Sequence, residues 1–396
     1  GDVYKRQLPM KLTIAPDILI KATDLVAKVA DKHHRFVILG NIKLELNNDS
    51  LTLTASDLDV QLATKVRLPE GACVEAGSIT VPAAKFNEIC KSLPKSASVT
   101  IQSLDDNRCQ IIVGKSKFVL ASLDASDFPD IGTPQNNKTL TLSRSALQEM
   151  ITRTKFCIAS QDVRHYLTGM LFHIHADNLT TVATDGHRMA TAQHNLASSY
   201  DELQIIVPGK AVGELERLFG ELQKSLKQDS MVDFGLDSEF LHLQLNFGKP
   251  DDTGQASDEL VVQLTARLID GKFPDYNRVI PSDFAQVAYV QKSAITDVLR
   301  RVSILADERA RGVVFSFEPE LATVRTTNKT GEAVETLPLR LEGEPIELAF
   351  NDTYLKAVFG VLDNEIQIKM NNANSATLIS QVGDERYQYV VMPVRI

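Results

Sequence analysis

"LTIAPDILIKATDLVAKVA" (12–30) sets the plan of the chain because it returns twice, as "LTLSRSALQEMITRTKFCI" (140–158) and "AYVQKSAITDVLRRVSILA" (288–306). Each stretch reads as a short strand followed by a helix. Apolar residues recur at helical spacing in all three: Leu19, Ala22 and Val26; Leu147, Met150 and Ile151; Ile295, Val298, Leu299 and Val302. That spacing gathers them on one face, ready for burial. A chain built from copies of one unit is best read through the unit before any single motif.

Working outward, each first helix leads into a small-residue turn and then alternating strands, with polar breaks at Asn-Asn-Asp (47–49), Ala-Asp-Asn (176–178) and Glu-Pro-Glu (318–320). Period-two alternation with such breaks predicts β-hairpins. A second helix follows in each unit: "VPAAKFNEICKSL" from 81, "VPGKAVGELERLF" from 207 and "FNDTYLKAVFGVL" from 350. Gly40 to Val81, Gly169 to Val207 and Gly312 to Phe350 span 41, 38 and 38 residues, a shared spacing that chance does not produce. The expectation is an α+β fold of three similar domains, each of two helices packed on β-sheet. Their bounds are 10–135, 138–275 and 276–396, with linkers in "GTPQNNK" (132–138) and "DYNRVIPS" (275–282). Residues 1–9, "GDVYKRQLP", are read as an extraneous leader before "MKLTIAP".

The composition limits the function classes. With 43% apolar and 23% charged residues, the 396-residue chain has ordinary globular make-up and room for two or three domains. No run of about 18 apolar residues is present, so no membrane partner is expected. Cys73, Cys90, Cys109 and Cys157 form no CxxC pair, which argues against a zinc site and suits a reducing cytoplasm. The net charge of −9 counts against general nucleic-acid binding, although it says nothing of how the charge is distributed.

"TVATDGHRMA" (181–190) is the first place to look for chemistry, since Thr184, Asp185, His187 and Arg188 crowd together there. Asp-Gly between two alternating segments is also a strong hairpin signal, and the equivalent places in the other repeats, "TASDLDVQ" and "TTNKTGEA", are polar breaks too. A structural turn is favoured over a catalytic site, because no serine, second histidine or carboxylate pair lies nearby in sequence. His173 and His175 share a strand face but have no third ligand at a recognisable spacing, so they are read as surface residues. "VGKS" (113–116) ends like a phosphate loop, but Cys109 stands where its first glycine belongs. No catalytic residue, metal or cofactor is therefore expected. Basic residues such as Lys21, Lys28, Arg217, Arg300 and Arg301 lie on the helices among acids such as Asp24, Glu214 and Asp297. That pattern fits a plain solvated face or a surface turned to DNA.

The three-fold repeat, "QDVRHYLTGMLF" (161–172), "TVATDGHRMA", "DGKFPDYNRVIP" (270–281) and the terminal "YVVMPVRI" together resemble the β subunits of bacterial DNA polymerase III, the replicative sliding clamps. The resemblance runs from Met10 to Ile396. It implies a non-catalytic processivity subunit: a head-to-tail homodimer closed into a ring of six similar domains, with twelve helices lining a hole for duplex DNA. A ring held topologically needs only weak, sequence-blind phosphate contacts, which reconciles DNA as a partner with the negative net charge.

The resemblance also implies a pocket that takes a short peptide from the replicative polymerase's catalytic subunit, the clamp loader, other polymerases and repair proteins. Its expected residues are Leu167, Thr184, Gly186, His187, Arg188, Met189, Pro274, Arg278, Val279, Val390, Met392, Pro393, Val394 and Arg395. An apolar slot with His and Arg at its rim is the chemistry such a site needs. DNA-facing residues are expected at Lys32, His33, Arg35, Gln161, Arg164, His165, Tyr166 and Lys210. Two places depart from the family: His33 and His34 stand in the first-domain loop that usually carries an arginine, and His165 where a second tyrosine is common. Dimer contacts are expected between Phe118 and Leu120 on one side and Ile304 and Leu305 on the other, with Lys115 and Lys117 near Glu332 and Glu335. A monomeric scaffold without DNA encirclement and a metal-dependent hydrolase are the competing readings, separable by solution mass and by bound metal.

Overall fold

The repeats fold into six α-helices among the described residues: α1 (Pro16–Ala27), α2 (Ala83–Ser92), α3 (Arg144–Thr154), α4 (Gly209–Ser225), α5 (Lys292–Val302) and α6 (Asp352–Val361). The structure is a computed structural model, and it describes residues 9–132, 135, 138–226, 228–250 and 257–395. Local chemistry starts the helices where the sequence places them. Pro16 sits in the first turn of α1, where its fixed φ suits the helix and its missing N–H costs nothing. The Asn351 side chain accepts the Thr353 and Tyr354 N–H groups at the head of α6. In α5 the apolar stripe Ile295, Val298, Leu299 and Val302 is the buried face.

The chain gathers into two units that do not follow the repeat boundaries. One comprises Gly1–Ser145 with Gly213–Leu268, and the other Ala146–Val212 with Ile269–Ile396. The reason is sheet pairing across repeats. In the first unit, Leu260–Arg267 of the middle repeat pairs antiparallel with Val60–Arg67 of the first, from Leu260↔Val66 to Ala266↔Val60. This seam lies inside an eight-stranded sheet. In the second unit, the closing strand Asp384–Val391 pairs with Arg188–Pro208, from Arg188↔Val391 to Ala192↔Tyr387, inside a seven-stranded sheet. The middle repeat is thus shared between two cores.

Each unit holds a second sheet that ends on an open edge. Ser116–Ala121 is the last strand of a five-stranded sheet in the first unit, and Gly331–Pro338 the last of a four-stranded sheet in the second. Such edges present unpaired backbone N–H and C=O groups.

The polar breaks at 47–49 and 318–320 separate strands as expected. The one at 176–178 is a shift of register on either side of Ala176 (φ 53°) within Gly169–Thr184. Of the expected linkers, "DYNRVIPS" is not a simple spacer: Tyr276 is buried, and Ile280 packs against the same cluster. Positions 133, 134, 136 and 137 of the other linker, and residues 1–8 of the leader, lie outside the described residues.

Candidate functional site

TDGHR is a turn joining Gly169–Thr184 to Arg188–Pro208, and its aspartate builds it. Asp185 Oδ1 accepts the N–H groups of His187 (2.9 Å) and Arg188 (3.1 Å), and Thr184 Oγ1 donates to the Arg188 carbonyl at 2.7 Å. The same device recurs in the other repeats. Asp57 Oδ1 accepts from Asp59 and Val60, and Asn328 Oδ1 accepts from Thr330 and Gly331. A short side-chain acceptor that closes its own turn explains why Asp or Asn stands at each of the three breaks.

Gly186 takes φ 90°, and a Cβ there would stand 3.1 Å from the Arg164 guanidinium. Gly186→Ala is expected to cost about 1–2 kcal/mol through that backbone strain. A urea melt checks this: the midpoint should fall with an unchanged slope, and an unmoved midpoint contradicts it.

Beneath the turn, both sides of the seam close on one apolar cluster. Leu167, Leu171, Val182, Met189, Ile206, Phe273, Tyr276, Leu378 and Val390 are buried together with Ala159, and Tyr166 and Phe284 pack against them. Strand register explains the meeting, since Met189 pairs with Val390. The expected pocket residues Leu167, Met189 and Val390 thus form a packed floor. Two large apolar side chains close to cluster members in sequence are exposed: Val279 (43%), three residues after Tyr276, and Met392 (38%), two after Val390. Val279 follows the turn Tyr276–Arg278, and the Met392 N–H donates to the His187 carbonyl at 3.0 Å. Beyond it, the Val394 N–H donates to the Ala349 carbonyl at 2.8 Å. Pro274, Arg278 and Arg395 are exposed, and Pro393 is half-buried.

Arg188 differs from the rim residue expected. Its guanidinium pairs with Asp185 (3.1 Å), donates to the Phe156 carbonyl (2.9 Å) and lies 4.6 Å from the Tyr354 ring centre. It therefore braces the turn from inside. His187 is the exposed member, stacked on Tyr354 at 6.3 Å. Tyr354 was not legible in the sequence: it sits on α6, and no spacing links it to TDGHR. Burial raises its pKa, so it serves as a neutral platform. Cys157 nearby is pushed up to about 12 by burial and is no nucleophile at neutral pH.

The remaining expected residues lie on loops, helices and sheet edges. Lys32, His33 and Arg35 are exposed in the loop after α1, where Arg35 lies over Phe36 at 4.8 Å and His34 Nδ1 accepts the Phe36 N–H. Gln161, Arg164 and His165 are exposed in the loop before Leu167. Arg164 grips Asp162 at 2.7 Å and holds that carboxyl at about 2. Tyr166 is half-buried on the cluster, and Lys210 is exposed in the first turn of α4. Lys115 precedes the edge strand Ser116–Ala121, which carries Lys117, Phe118 and Leu120. Glu332 and Glu335 lie on the edge strand Gly331–Pro338, with Glu335 held by Arg301 at 2.7 Å. Ile304 is 77% exposed, and Leu305 is half-buried. Among the described residues, no three His, Cys, Asp or Glu side chains are grouped to hold a metal ion.

Family models for the DNA polymerase III beta subunit match the chain three times: the N-terminal domain over residues 10–132, the central domain over 141–275 and the C-terminal domain over 277–395. The chain belongs to the DNA polymerase III beta subunit family. It is 38% identical to a beta sliding clamp of Vibrio cholerae over 390 residues, which cover 98% of this chain and 100% of that one. The beta sliding clamp of Escherichia coli is 32% identical at the same coverage. Among solved structures, the DNA polymerase III subunit beta of Pseudomonas aeruginosa superposes with a TM-score of 0.88 at 33% identity, over 98% of this chain and 100% of that one. The fold is therefore that of the sliding clamps, and membership identifies a processivity factor of DNA polymerase III. No helix among the described residues is long and apolar enough to cross a membrane.

Proposed function

We propose that this chain is the sliding clamp of a bacterial replicase, a head-to-tail homodimer closed around duplex DNA. It tethers the polymerase's catalytic subunit, in which the nucleotidyl-transfer chemistry resides, and receives the clamp loader, other polymerases and repair proteins at the TDGHR pocket. The observation that carries the ring is the pair of unlike sheet edges. Ser116–Ala121 offers backbone groups flanked by Lys115 and Lys117, and Gly331–Pro338 offers backbone groups flanked by Glu332 and Glu335. Opposite charge favours pairing of one edge with the other edge of a second copy, and disfavours like with like. A contact through unlike surfaces makes a closed ring only when its rotation closes, and a dimer of this kind has two such contacts.

The pocket reading is supported by the turn, the exposed Val279 and Met392 close in sequence to members of a packed apolar floor, and the full-length family match. A DnaN sliding clamp of Pseudomonas aeruginosa, 33% identical to this chain, has been crystallised bound to griselimycin, so a member of the family takes a ligand. Light scattering tests the assembly. The expected mass is twice 43.7 kDa at nanomolar concentration, and a single 43.7 kDa species contradicts the ring.

A further inference from the structure

His173 lies on the strand Gly169–Thr184, away from the TDGHR turn, and its ring bridges two residues. Nδ1 stands 2.7 Å from the Tyr276 hydroxyl, and Nε2 stands 3.3 Å from Glu202 Oε1. The His173 and Tyr276 rings meet edge to face at 5.8 Å. With Nε2–H donating to Glu202, Nδ1 is left as the acceptor for the phenol O–H. Burial raises the Tyr276 pKa, so the phenol keeps its proton. His173 itself has a side chain only 14% exposed, unlike the freely solvated histidine its strand position predicts.

Tyr276 is the root of a short segment. Its ring lies in the cluster with Leu167, Met189 and Val390, and its carbonyl accepts the N–H groups of Val279 (3.0 Å) and Ile280 (3.3 Å). Asp275 caps the same turn by accepting the Asn277 N–H at 3.2 Å. Whatever fixes the Tyr276 ring therefore fixes where Arg278 and Val279 stand. A buried phenol with a strong acceptor has one preferred orientation, whereas one without it loses both the bond and the orientation.

We propose that His173 is a positioning residue for partner capture, holding Tyr276 so that Val279 and Arg278 form one wall of the pocket. The proposal rests on the peptide-pocket reading above. A purely structural histidine would affect stability alone, whereas a positioning one affects affinity through Tyr276.

The test uses the full-length protein, a fluorescent synthetic peptide with leucine and phenylalanine anchors, and amide hydrogen exchange. His173→Phe keeps a ring but removes Nδ1, and Tyr276→Phe removes only the hydroxyl. Each is expected to weaken the peptide about fivefold, which is about 1 kcal/mol. The double variant should be no weaker than either single one, since both break the same bond. His173→Asn, which restores an acceptor, should recover most of the affinity. Amides 278–280 should exchange faster in His173→Phe even without peptide. Unchanged affinity in His173→Phe, or fully additive losses in the double variant, overturns the proposal. Failure of the peptide to bind the unaltered protein overturns the pocket reading, and unchanged exchange at 278–280 separately overturns the tether.

Discussion

Deleting Met392 to Ile396 is expected to abolish partner-peptide binding while the protein stays dimeric. The strand Asp384–Val391 remains, with its pairing from Tyr387 to Val391 against Ala192 to Arg188, so the sheet keeps its seam. What disappears is the exposed Met392 side chain, its N–H bond to the His187 carbonyl, and the Val394 bond to Ala349. Burying a partner's leucine or phenylalanine is worth about 1.5–3 kcal/mol, a tenfold to hundredfold change in affinity. Losing Pro393, Val394 and Arg395 as well removes the rest of that wall. His187→Ala should weaken the peptide less, because Tyr354 remains as an apolar platform once its stacked partner is gone. Peptide titration of both variants, with mass measured alongside, is the check. An unchanged affinity after the deletion moves the pocket elsewhere and leaves TDGHR a hairpin turn only.

Ile304→Ala combined with Leu305→Ala is expected to convert the dimer to monomers. Ile304 projects from the 3-10 turn Ser303–Leu305 with 77% of its surface in water, so a second copy that covers it gains the burial of a large aliphatic side chain. Each buried aliphatic chain contributes about 1.5–3 kcal/mol, and a ring loses the pair at both contacts. Leu305 also packs near Gly331 within its own unit, so part of its effect falls on the fold. Ile304→Ala alone separates the two, since it should weaken the dimer with little change in melting temperature. Light scattering at nanomolar concentration reads the outcome, and a double variant that stays fully dimeric contradicts the assigned interface.

Much of this was written in short-range pattern. Helical stripes such as Ile295, Val298, Leu299 and Val302 are the faces that became buried, because burial and periodicity are one physical constraint seen twice. The Asp-Gly hairpin was legible for a similar reason: Asp185 closes its turn with atoms only two and three residues away. Sheet pairing between repeats was not legible. Nothing in "LVVQLTAR" states that its partner is the strand Val60–Arg67, since alternation fixes a face but not a neighbour. Long-range aromatic contacts failed in the same way. Tyr354 reaches His187 and Arg188 from α6, and Tyr276 reaches His173 from a segment read as linker. Arg188 looked like a rim residue from its type, and its three internal contacts turned it into a brace.

The central claim is encirclement, and topology offers the most direct test. The protein is loaded onto a nicked circular duplex, freed of unbound protein, and the circle is then cut once. Helix charges of mixed sign predict weak contact with short linear duplex, falling further as salt rises, so only closure around the strand should retain the protein. The account predicts persistence on the intact circle and release within the time needed to slide off the cut ends. Retention on cut DNA with unblocked ends contradicts it.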